Sequence, residues 1–377
     1  MSLTLPADEP AIATEAEARI AVASQRQLIW WRFKRHRLAV ISGVIVGLFY
    51  LVAIFADGLA VTPPWDTNAA RSYIPPQPIH WFDDGHFRPH VYALKGKRDL
   101  RTFKLSYAPD PSEKRDLVLF ARGYPYRLFG LIPTDIHLLG VADGKPENSL
   151  FLLGTDQLGR DLYSRLVLAT QTSLTIGLAG VTLSLILGVL LGGMSGLYGG
   201  WVDVVIQRLI EILRSIPTIP LWMGLAAAVP ASWPPTRVYF AITLIISLIG
   251  WTELARVVRG RFLALREEDF ITAADLAGAS RMRIIFRHMV PSFLSHIIAA
   301  VSLALPAMII SETTLSFLGL GLRPPAISWG VLLQDAQNLQ TLGLAPWLLF
   351  AAVPVIVVIL AFNFLGDGLR DAADPYG

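Results

Sequence analysis

The sequence contains no cysteine, which excludes disulfides, thiolate metal sites, iron–sulfur ligation and a cysteine nucleophile. Charge is scarce as well. Asp, Glu, Lys and Arg make up 16% of 377 residues, against about 25% in an average soluble domain. No G-x-x-x-x-G-K-[ST] phosphate loop occurs, so the chain does not bind ATP by that route. H-E-x-x-H, a Cys/His cluster and G-x-S-x-G are missing too, leaving no metallohydrolase or serine-hydrolase signature. A net charge of only +3 gives no argument for a nucleic-acid partner.

What is present is apolar. Hydrophobic residues form 53% of the chain and mean hydropathy is +0.51. A spanning helix needs about 20 predominantly apolar residues. Such windows occur at Leu38–Ala56, Thr172–Leu197, Ile206–Val229, Val238–Val258, Phe293–Ser311 and Trp347–Leu365. The expected fold is an all-α polytopic membrane protein with six transmembrane helices, embedded in membrane lipid.

Residues 1–25 are polar and Ala/Glu-rich, and read as a weakly helical tail. Arg26, Arg32, Lys34, Arg35 and Arg37 precede the first apolar run, which is long enough to span, so an uncleaved first helix is expected rather than a signal peptide. The basic cluster puts the N-terminus in the cytoplasm, and six crossings return the C-terminus there. Residues 57–165 are polar and proline-rich at their start, with short apolar runs at His90–Leu94, Phe103–Tyr107 and Leu117–Phe120 between turn signals. They read as a β-containing insert outside the membrane. Its histidines His80, His86 and His90 read as surface residues, not metal ligands. Trp233, Trp329 and Trp347 fall where interfacial aromatics are expected.

The loop 259–292 then lies inside and carries Arg259, Arg261, Arg266, Arg281, Arg283 and Arg287. Arg266–Ala277 has good helix formers, Gly278 stands at a left-handed stop, and Ser280 offers a cap for Arg281–Val290, closed by Pro291. Helix, glycine turn, helix is the predicted shape. A DNA-binding helix-turn-helix shares it, but a reader tethered between two spans cannot enter a major groove. A mere connector needs only a few residues, and this loop exceeds thirty. A docking surface for a soluble partner fits better, with low-profile Ala273, Ala274 and Ala277 rimmed by arginines.

Charges within spans are costly in lipid. Arg208, Glu211 and Arg214 share a helical face and read as an interfacial or intersubunit network. Glu312 ends the fifth span, where it either lines an external mouth or caps the next turn. Pro217 and Pro220 are expected to kink the third span, and Gly188, Gly192, Gly193 and Gly196 to admit close helix packing.

Thr272-Ala273-Ala274-Asp275-Leu276-Ala277-Gly278, with Val290-Pro291 beyond, resembles the EAA loop of bacterial ABC-importer permeases, with Thr272 in place of the usual Glu. Gly154-Thr155-Asp156-Gln157-Leu158-Gly159-Arg160-Asp161 resembles the GTDxxGRD signature of the dipeptide/oligopeptide/nickel permeases. Glu312 through Gly321, then Pro324-Pro325 and Ser328-Trp329-Gly330, resembles the E-x-x-LSFLGLG…PP…SWG segment of that family. Asp367-Gly368-Leu369-Arg370-Asp371 with Asp374-Pro375 resembles its usual ending.

The resemblance implies the C-type permease subunit of an ABC importer moving peptides, or within the same class nickel, opines or oligosaccharides. It implies four divisions: a cytoplasmic tail (1–37), a first transmembrane helix (38–56), an extracytoplasmic insert with an amphipathic lead-in (57–165), and a five-helix permease core (166–377). The implied partners are a homologous permease in a heterodimer, two ABC ATPases and an extracytoplasmic solute-binding protein. ATP and Mg belong to the ATPases, with no cofactor, metal or catalytic residue on this chain. Coupling falls to Thr272, Ala273, Ala274, Asp275, Gly278, Ala279, Arg283, Arg287 and Pro291. The rivals are a secondary transporter or channel, which needs mid-membrane ionisable residues, and a structural scaffold.

Overall fold

The computed structural model describes residues 25–98, 105–142 and 150–373. The sequence readings for residues 1–24, Phe103 and Asp374-Pro375 lie outside the described residues. Helix α1 (Gln25–Arg35) leads into α2 (Arg37–Ile54) and the short α3 (Ala56–Leu59). His36 caps α2 by accepting a hydrogen bond from Ala39 N at 3.2 Å. A four-stranded antiparallel sheet follows in simple order: β1 (His80–Asp83), β2 (His86–Arg98), β3 (Leu105–Leu128) and β4 (Ile132–Val141). The long β3 serves two partners, pairing Arg115 with Val91 on β2 and Leu117 with Val141 on β4. Val91, Leu117, Val141 and Leu150 bury its core.

The remaining helices are α4 (Leu162–Tyr198), α5 (Gly200–Ser215), α6 (Thr218–Ala227), α7 (Pro235–Leu265), α8 (Asp269–Leu276), α9 (Leu294–Phe317), α10 (Trp329–Asp335), α11 (Leu339–Leu344) and α12 (Ala352–Ala373). Asp161 starts α4 by accepting from Ser164 N at 2.7 Å, and positive φ at Gly199 and Gly200 ends it. The helix therefore begins ten residues before the apolar window predicted from hydropathy. A capped helix continues past the hydrocarbon until its cap is reached.

Where one span was predicted over Ile206–Val229, α5 and α6 meet at an 88° bend. Pro217, which cannot donate a backbone hydrogen bond, sits at the break. Whether this bent pair crosses the membrane or turns back follows from its neighbours. A Cβ added at Gly180 would meet Ser247, one at Gly188 Leu254, one at Gly192 Ala255, and one at Gly196 Phe262. Both numbers rise together, so α4 and α7 run parallel. The chain between them must return to the side it left, and α5–α6 is a broken crossing. Six crossings result.

The same reasoning orders the rest. Gly177 faces Ile309 and Ser173 bonds Glu312, so α9 runs antiparallel to α4. Gly43 faces Leu365 and Gly368 faces Ala39, so α12 runs antiparallel to α2. One face of the bundle thus gathers the start of α2, the loop 266–293 and the end of α12. The other gathers the sheet and the 318–346 segment.

Trp329 departs from its predicted interfacial place. It is fully buried, because Ser328 caps α10 through Val331 N and turns that helix back into the bundle, edge-on to Phe49.

Candidate functional site

The loop between α7 and α9 is built as a two-faced unit. Ile271, Ile284, Ile285 and Met289 are buried in one cluster with Phe262 of α7 and Val189 of α4. Its other face is open. Leu276 is 85% exposed, and Phe270, Met282 and Phe286 are exposed beside it. Gly278 takes φ +76, the left-handed stop of α8, where a side chain is strained. Ser280 then caps the next turn through Arg283 N at 3.4 Å. The segment Arg281–Arg283 continues as a π-helical turn, Ile284–Met289, into Val290–Ser292. Such turns are rare and occur often at functional sites.

Of the residues singled out from sequence, Thr272, Ala273, Asp275, Gly278, Arg283, Arg287 and Pro291 are exposed, and Ala274 and Ala279 are half-buried. Thr272 Oγ1 donates to Glu268 O at 3.4 Å, so the hydroxyl is turned onto its own helix. Asp275 faces Arg281 at 3.5 Å across the glycine turn.

On α5, Arg208 and Glu211 pair at 2.7 Å, both well exposed, and Arg214 is exposed as well. Asp203, one turn earlier, is held by Arg259 of α7 at 2.5 and 2.6 Å. Between α4, α7 and α9 lies a cavity of about 600 Å³. Its lining is mostly apolar, with Ser184, Glu253, His296 and Arg370 as the polar exceptions. Sequence reasoning passed over Glu253. It sits inside the fourth apolar window, where one acid among many aliphatics barely lowers the mean, and it is exposed rather than packed.

On the opposite face, the Gly154–Asp161 motif is a structural junction. Asp156 is buried and accepts from Leu158 N at 2.9 Å, Arg160 N at 3.0 Å and Arg160 Nε at 2.7 Å. It also pairs with Arg165, whose side chain is 1% exposed. Asp335 of α10 lies 3.4 Å from the same guanidinium. Burial raises the Asp335 carboxyl above the usual range although Arg165 opposes the shift. Asp161 is pushed up to about 6 by burial, with its hydrogen bonds from Ser164 acting the other way.

Glu312 is fully buried within a cage of hydroxyls, Ser316 at 2.8 Å and Ser173 at 3.2 Å. Ser173 also accepts from Trp329 N, tying the end of α9 to α4 and α10. In the sheet, His80 stacks on His90 with ring centroids 5.4 Å apart, and among the described residues no group of three His, Asp or Glu side chains is placed to hold a metal.

The sequence matches the family model "Binding-protein-dependent transport system inner membrane component" over residues 185–376. It also matches "N-terminal TM domain of oligopeptide transport permease C" over residues 24–76. It is 29% identical to the oligopeptide transport system permease protein OppC of Bacillus subtilis (strain 168), over 97% of this chain and 96% of that protein. Identity to the dipeptide transport system permease protein DppC of Lactococcus lactis subsp. cremoris (strain MG1363) is 31%, over 99% and 96%. The OppC protein of Haemophilus influenzae is 40% identical over 64% of this chain and 75% of its own length.

Proposed function

The chain belongs to the family of binding-protein-dependent transport system inner membrane components, and from that premise we propose how its two-faced loop serves transport. It is a multi-pass permease subunit of an ATP-driven peptide importer. It is not itself an enzyme, and ATP hydrolysis lies on separate ATPase subunits. A solute-binding protein delivers the cargo.

The observation that carries the mechanism is the loop's construction. Its exposed apolar patch of Phe270, Leu276, Met282 and Phe286 is a docking face for an ATPase. Its buried face is continuous with the α4–α7 core. Motion of a docked subunit is therefore passed to two spanning helices through these packed side chains. A nucleotide state shifts the permease only by binding its two conformations differently, and a rigid unit shared by both parts supplies that difference. Thr272, Ala273, Asp275, Arg283 and Arg287 bound the contact, and Gly278 and Pro291 set its shape.

The loop lies on the same face as α1 and the end of α12, where Arg32, Lys34, Arg35, Arg37 and Arg370 also lie. By the positive-inside rule this face is cytoplasmic, so both ends of the chain lie inside. The cavity beside Glu253 is this chain's share of the path, completed by a homologous permease as a C-type subunit pairs with its partner. An ionisable residue within a span faces a bundle interior or a water-filled cavity by default. Arg208, Glu211 and Arg214 lie at the periphery of that subunit contact.

The test replaces Ala273 by Trp and, separately, Leu276 by Asp in the full importer. Both sites are open, so the chain folds and inserts, while copurification of the ATPases and peptide uptake fall at least tenfold. Normal assembly and uptake in both variants would sink the docking assignment.

A further inference from the structure

The β3–β4 hairpin carries an apolar surface that the transport reading leaves unused. Phe120, Phe129, Leu131, Ile132, Ile136 and Leu138 are all exposed, Leu131 by 79%. A hairpin tip in water is ordinarily made of Gly, Asn, Asp or Ser. Here the turn reads Phe129-Gly130-Leu131, and Phe129 takes φ +55, a conformation unfavourable for a bulky side chain. In that position its ring lies edge-on to Phe55, with centroids 5.7 Å apart.

Phe55 fixes the depth. Helix α2 has 18 residues, so it is about 27 Å long at 1.5 Å per residue, close to the roughly 30 Å of a bilayer's hydrocarbon core. A span no longer than the core it crosses has its two ends held at the two boundaries. Phe55, directly after it, is therefore at the outer boundary, and the Phe129 ring touching it is at the same level. The exposed side of α2, formed by Ile41, Val44, Leu48, Leu51 and Ile54, runs without interruption into the hairpin tip. Tyr126, whose hydroxyl donates to Ile136 O at 2.7 Å and would meet a Cβ on Gly58, braces the hairpin on α3.

We propose that the β3–β4 hairpin is a membrane-interface wedge, its tip seated among the headgroups and upper acyl chains of the outer leaflet. The occupant of this apolar face is lipid, because the face continues a surface that is already in the membrane. Aromatic and aliphatic side chains at this level are the ones the interface favours. The wedge then holds the external sheet at a fixed tilt against α3.

The absence of cysteine makes the test direct. Leu131→Cys and, as an aqueous control, Ser112→Cys are labelled with a nitroxide in the full chain, assembled with its subunits in lipid nanodiscs. Collision with oxygen is compared with collision with a water-soluble nickel chelate. At Leu131→Cys oxygen is favoured several-fold over nickel, and at Ser112→Cys the preference reverses. Nickel access at Leu131→Cys equal to the control overturns the proposal, since the tip is then in water. An immobilised label reached by neither reagent also overturns it, since a protein partner then covers the tip.

Discussion

Arg259 clasps Asp203 with both ends of its guanidinium, Nε to Oδ1 at 2.5 Å and Nη2 to Oδ2 at 2.6 Å. The Ser195 hydroxyl bonds the same carboxylate. Three helices, α4, α5 and α7, are thus joined at one point, where α4 ends and the broken crossing begins.

Removing one partner leaves the other poorly satisfied, which costs more than removing both. Arg259→Met is expected to destabilise the chain by about 1–3 kcal/mol, read as thermal unfolding in detergent. The double variant with Asp203→Asn is milder than the sum of the two single changes. Strict additivity of the three measurements would mean the pair contributes no coupling.

Close packing of α4 on α7 makes a second prediction. A Cβ at Gly192 would collide with the Ala255 carbonyl oxygen, and backbone cannot yield as a side chain can. Gly192→Ala therefore costs about 1–3 kcal/mol as overpacking. Gly47→Ala on α2, with nothing within 4 Å, is neutral or slightly stabilising because alanine favours helix. Equal melting temperatures for the two variants would contradict this.

Asp161 supplies a pH dependence. Its folded pKa, about 6, is above the unfolded value of about 3.9. The folded state therefore binds the proton more tightly. Ionisation of this group costs stability above about pH 6, and that cost disappears as pH falls toward 4. Asparagine caps a helix as well as aspartate. Asp161→Asn should be more stable than the parent at pH 8, by up to roughly 2–3 kcal/mol, with the difference shrinking below about pH 6 and vanishing only below about pH 4. A pH-independent difference in unfolding temperature would exclude Asp161 as its source.

Glu253 separates path from lipid. Glu253→Leu is expected to cut peptide uptake at least tenfold with no loss of thermal stability, since an exposed carboxylate in a span is itself a liability. Unchanged uptake would remove Glu253 from the path.

How much of this was legible in the sequence depends on the length over which each signal is averaged. All six crossings show in hydropathy, because an apolar run of about 20 residues survives any window. Gly278 and Ser280 were readable since a helix stop and a cap are chemistry of single residues. Pro217 marked the break but not its 88° size, which depends on where α5 and α6 pack. Glu253 and Arg165 were lost for opposite reasons. The first is one charge diluted in an aliphatic window. The second sits in a stretch read as an amphipathic lead-in, with Asp335, a partner 170 residues away, that no local pattern announces. The sheet was seen only as scattered apolar runs. Pro109, Pro111 and Pro125 interrupt β3, and its alternation changes partner midway.

The parallel course of α4 and α7 has a consequence for biogenesis. The glycine groove of α4 enters the bilayer with nothing to fill it. The helix that fills it cannot arrive until the ribosome has made α5 and α6 and the translocon has passed them back across. For that interval Gly188, Gly192 and Gly196 are without Leu254, Ala255 and Phe262, the partners that fill the groove in the finished fold. The permease core closes only with α7, so a chain arrested before Pro235 lacks its central joint.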